Sequence, residues 1–96
     1  MMIVRISGTG QYEIDDAEVS RVHEIDAHLT AALHAGQEDA FHRHLHEMIQ
    51  SVLENSTPVP HDRVVPSEVI LPPEDVTMEE AKRFFHDEGL LEPVPA

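Results

Sequence analysis

AEVSRVHEIDAHLTAALHAGQEDAFHRHLHEMIQSVLEN, residues 17–55, is the stretch whose reading decides the fold. Val22, Ile25, Leu29, Ala32 and Leu33 recur at three- and four-residue steps, and so do Phe41, Leu45, Met48, Ile49, Val52 and Leu53. At 3.6 residues per turn each set forms one apolar stripe, so the spacing predicts helices over 17–35 and 38–55. Gly36, in the turn Ala35-Gly36-Gln37, suits the left-handed residue that ends a helix. Glu38 and Asp39 then place negative charge at the next N-terminus, where the helix dipole favours it. So short a connection forces the two helices antiparallel, stripe against stripe.

Working outward, Met2 to Ile6 is β-rich, Ser7-Gly8-Thr9-Gly10 supplies a tight reversal, and Gln11 to Ile14 alternates polar and apolar. A β-hairpin over 2–14 follows. Two strands alone are marginal in water, so the hairpin has to lay its apolar face on the helices. Asp15 or Asp16 caps the first helix. Asp26 borders the apolar stripe, either at its solvent edge or held by a base such as Arg5. Thr57-Pro58-Val59-Pro60 stops the second helix, and 63–71 reads as an extended segment. Within it Val69-Ile70-Leu71, bracketed by prolines, reads as an edge strand, the alternative being an extended strap over the helices. Thr77-Met78-Glu79-Glu80 is a capping box that starts a short helix over 78–86, and Asp87-Glu88-Gly89 ends it. The fold class is α+β in a single domain over 1–96: an N-terminal hairpin on an antiparallel helical hairpin, an extended edge segment and a short C-terminal helix.

Nineteen acidic residues against six bases give a formal charge of −13. Such a surface repels phosphate backbones and anionic headgroups, which argues against nucleic acid and direct membrane insertion and favours a basic protein surface. The absence of cysteine excludes disulfides and thiolate chemistry and agrees with a cytoplasmic location. The serines stand in no nucleophile-elbow context, so no catalytic residue is assigned and no cofactor is implied.

The chemistry-bearing pattern that remains is histidine. Glu38, His42 and His46 fall on one helical face at a spacing that chelates zinc. The HExxH pattern is absent, because Arg43, His44 and Leu45 follow His42. Either these groups bind a metal, or they line the solvated face opposite Phe41, Leu45 and Met48. Protonating all eight histidines would take the formal charge from −13 to −5, weakening attraction to a basic partner. Apolar groups left over from a small core are the candidate docking residues: Tyr12, Val69, Ile70, Leu71, Phe84, Phe85, Leu90 and Leu91. An edge strand at 69–71 pairing across a two-fold axis would make a homodimer.

Met2-Ile-Val-Arg-Ile-Ser-Gly-Thr-Gly-Gln-Tyr-Glu-Ile-Asp-Asp16 resembles the opening of the PspA-associated family (PspAA). The likeness continues through Ala35-Gly36 with Phe41, Thr57-Pro58-Val59-Pro60, Val65-Pro66-Ser67 and Leu71-Pro72-Pro73. It closes with Thr77-Met78-Glu79-Glu80 and Asp87-Glu88-Gly89-Leu90, and so covers nearly the whole chain. The His42 to His46 patch is outside the shared pattern. The resemblance implies a cytoplasmic, non-enzymatic accessory protein that works with a PspA-type coiled-coil protein in the phage-shock, membrane-stress response.

Overall fold

The computed structural model describes residues 2–60, 62–63 and 65–83. The helical hairpin forms as the spacing requires, from α1 (Asp16–His34) and α2 (Glu38–Glu54). Asp15 is the N-cap of α1, its carboxylate accepting from the Glu18 amide at 2.9 Å. The turn is closed by two carbonyls that α1 leaves over: the Gln37 amide donates to Ala32 at 3.0 Å and the Gly36 amide to Leu33 at 3.2 Å. This pairing needs a left-handed residue after the helix, and Gly36 has φ +69°. Gly36→Ala is therefore expected to cost about 1–2 kcal/mol, read as a drop of several degrees in the thermal midpoint of a domain this size.

Strand β1 (Met2–Ile6) pairs antiparallel with β2 (Gly10–Ile14), Val4 opposite Tyr12. The reversal is closed by the Thr9 amide on the Ile6 carbonyl at 2.9 Å, with Gly8 at φ +82°. Two further short strands complete a sheet of order β3-β2-β1-β4: β3 (Ser56–Pro58), antiparallel to β2, and β4 (Val69–Leu71), parallel to β1. The edge strand expected at 69–71 is present, and it ends the extended segment expected over 63–71. The strand at 56–58 is an addition to the sequence reading. Pro58 is tolerated there because β3 is an edge, where a missing N–H breaks no ladder.

Alternation places Val4, Ile6, Ile14, Val69 and Leu71 on one face of the sheet. They join Val22, Ile25, Leu29, Phe41, Leu45, Met48 and Val52 of the helices in one buried cluster. The chain must cross from β3 to β4, from one edge of the sheet to the other, and it does so over the face that the helices leave open. There the Gln11 side-chain amide, which points away from the helices, donates to the Val65 carbonyl at 2.9 Å and the Ser67 hydroxyl at 2.7 Å. The sheet is thus covered on both faces, by α1 and α2 on one and partly by the crossing segment on the other.

Helix α3 (Met78–Ala81) carries the expected capping box: the Glu80 amide donates to Thr77 Oγ1 at 3.1 Å, and the Glu80 carboxylate faces the Thr77 amide at 3.4 Å. Regular helix stops at Ala81, shorter than the 78–86 expected; positions 84–86 lie outside the described residues. Two stripe assignments also need correction. Leu53 is 40% exposed, at the edge of the stripe whose neighbour Val52 is fully buried. Asp26, expected at a solvent edge, is only 4% exposed, and the Thr30 hydroxyl approaches it at 3.5 Å. Arg5 lies on the opposite face of the sheet and does not hold it.

Candidate interaction surfaces

The structure sorts the docking candidates by burial. Val69 and Leu71 point inward and are core, 5% and 0% exposed, while Ile70 between them is 47% exposed on the outer face. Tyr12, on the inner face of β2, is half-buried against the core. Of the edge-strand triad only Ile70 is therefore available to a partner. Phe84, Phe85, Leu90 and Leu91 lie outside the described residues. Leu53 joins Ile70 as a large exposed apolar side chain. Sequence reasoning missed it because its position continues the stripe; only the packed structure shows that it stays exposed.

A second surface lies along the outer seam of the helical hairpin. Arg21, Glu24 and His28 of α1 face His44, Glu47 and Ser51 of α2 across a groove of about 410 Å³. At one end Glu18, 1% exposed, accepts from the Arg21 guanidinium at 2.7 Å and from the Ser51 hydroxyl at 2.8 Å. Two strong donors are what a carboxylate needs to remain buried. Further along, the imidazoles of His28 and His44 stack with centroids 5.5 Å apart and planes at 22°. His44 Nδ1 is buried without a hydrogen-bond partner among the described residues, the Glu47 carboxylate standing 3.7 Å away. The burial of Glu18 depends on the Ser51 position on the neighbouring helix, which no local pattern shows.

The third candidate, the Glu38, His42, His46 face, is not assembled for metal. His42 Nδ1 meets the Glu38 backbone carbonyl at 3.1 Å and its Nε2 meets the Val76 carbonyl at 2.8 Å, so both ring nitrogens are already engaged by the protein. His46 Nδ1 pairs with Glu74 instead of turning toward His42. No group of three His, Asp or Glu side chains among the described residues could hold an ion. Nor does this face stand open to solvent throughout, as the other reading had it: the stretch before α3 covers His42, which is only partly exposed.

Among the described residues no helix is long and apolar enough to cross a membrane. The described residues form a negatively charged α+β domain with isolated apolar side chains on its surface and an open groove along the helical hairpin. The protein belongs to the PspA-associated protein family, whose model matches residues 2–93, nearly the whole chain. No curated protein matches the chain. No solved structure matches it either. The family ties the protein to PspA in an accessory role, and the resemblance read from the N-terminal strand pair and the proline-bracketed segments is to this same family.

Proposed function

We propose that this protein is a non-enzymatic accessory of the phage-shock, membrane-stress response that binds a PspA-type coiled-coil protein in the cytoplasm. The observation that carries the reading is the family match over residues 2–93. The chemistry agrees with it: a chain of formal charge −13 is drawn to the basic stretches of a long amphipathic coiled coil and repelled by anionic lipid, so it reaches a membrane through its partner. Ile70 on the outer face of the edge strand is the apolar element of the docking surface, and Tyr12, Phe84, Phe85, Leu90 and Leu91 are further candidate docking residues. The metal-dependent alternative has no observation in its favour, since both His42 nitrogens face carbonyls and no group of three His, Asp or Glu side chains among the described residues could hold an ion.

Titration of the purified protein with a PspA-type coiled coil tests this. Binding is expected at about 50 mM salt, where charges are screened only beyond roughly 14 Å, and is expected to weaken at least tenfold at about 500 mM. Ile70→Glu should weaken it further at either salt. Failure to associate at low salt would overturn the proposal.

A further inference from the structure

We propose that His42 and His46 form a proton-dependent latch that fastens residues 72–83, including α3, to α2. Each nitrogen of His42 faces an oxygen that can only accept: Glu38 carbonyl at 3.1 Å for Nδ1 and Val76 carbonyl at 2.8 Å for Nε2. A neutral imidazole carries one N–H. It can donate to one carbonyl and must set its ring lone pair against the other. The imidazolium donates to both, and charge-assisted bonds are the stronger kind. One turn on, His46 meets the Glu74 carboxylate, a contact that becomes an ion pair only when the imidazole is protonated. Both contacts reach the same covering stretch, and they ask for the same protonation state. Both partners in the second contact are well exposed, so His42 is the principal fastening and His46 the auxiliary.

The charged groups around the latch carry the same sign preference. On α2, Glu38 and Asp39 precede His42, and Arg43 accompanies it. The covering stretch contributes Glu74 and Asp75, α3 contributes Glu79 and Glu80, and the turn after it Lys82 and Arg83, all of them exposed. Six carboxylates thus stand against three permanent cations, and the histidines are the groups that can add positive charge on the α2 side. What the latch holds is not trivial, since Val76 and Ala81 are part of the buried cluster. With the imidazoles protonated the stretch is fastened. As they lose their protons the fastening weakens, and the apolar surface under Val76 and Ala81 opens more often. The inference is independent of the partner proposed above.

Hydrogen–deuterium exchange on the whole protein reads this directly. The Val76 amide bonds to the Pro73 carbonyl and the Ala81 amide to Thr77, so both report on the stretch. After correction for intrinsic exchange, their protection is expected to fall several-fold between about pH 5.5 and pH 8, the difference between a charge-assisted and a neutral hydrogen bond. The protection of α1 amides should change much less. His42→Gln, which keeps a donor but cannot gain charge, should remove most of that pH dependence, and His46→Gln a smaller part. Nitrogen-15 spectra of the imidazoles give a second reading: His42 should carry protons on both nitrogens in the range where Val76 is protected. Protection that does not vary with pH, an undiminished dependence in the His42→Gln, His46→Gln double variant, or a neutral His42 throughout would each overturn the latch.

Discussion

Phe41→Ala is expected to remove about 3–5 kcal/mol of folding stability. Phe41 is fully buried and sits in the first turn of α2, where the two helices meet the shared cluster. The chain has only four aromatic side chains and no tryptophan, and among the described residues Phe41 is the one that the cluster buries completely. Truncation leaves a void that aliphatic neighbours on a tightly turned hairpin can only partly fill. Against the roughly 5–14 kcal/mol usual for a domain of this size, the loss would take about a fifth of the stability or more. It should appear in urea unfolding as a much lower midpoint with little change in slope. Leu53→Ala is the control: at 40% exposure it should cost less than about 1 kcal/mol. Equal effects at the two positions would mean that the α2 stripe is not organised around Phe41.

What the sequence made legible and what it withheld follow from how local each determinant is. Helix periods, the Gly36 turn, the Thr77 capping box and the hairpin glycines are written within a few residues, and each appears as read. The parallel pairing of Val69–Leu71 with Met2–Ile6 joins segments more than sixty positions apart, and no turn between them fixes the register. The strand at Ser56–Pro58 is hidden for a different reason: proline argues against a strand until an edge position is known. The same distinction governs the surfaces. Ile70 could be named in advance because alternation within a three-residue strand leaves one side chain outside, but Val69 and Leu71 were carried along with it until the sheet showed which face was covered. His42 was seen as a candidate ligand from its spacing. Its true neighbour, the Val76 carbonyl, is a backbone atom 34 positions away, and a sequence pattern carries no signal for it.

Ser51→Ala is expected to cost about 1.5–3 kcal/mol, a large effect for the loss of one oxygen atom. The reason is the group it serves. The Glu18 carboxylate is buried, and its second oxygen accepts from Ser51 while its first accepts from Arg21. Removing the hydroxyl leaves that oxygen out of water with no donor, so the cost is desolvation as well as the lost bond. The pair crosses from α1 to α2, which makes it a register pin for the hairpin as well as a polar contact. If that account is right, the penalty must vanish when the carboxylate does: in a Glu18→Leu background, Ser51→Ala should change stability by less than about 0.5 kcal/mol, and the double variant should lie near the wild type, because an apolar pair of similar volume needs no donors. Arg21, more than half exposed, loses its partner at little cost there, since its guanidinium is free to hydrate. The four denaturation midpoints form a thermodynamic cycle with a coupling of at least 1 kcal/mol. Additive effects would show that Ser51 acts through packing alone, and that the buried carboxylate is satisfied by Arg21 without help from α2.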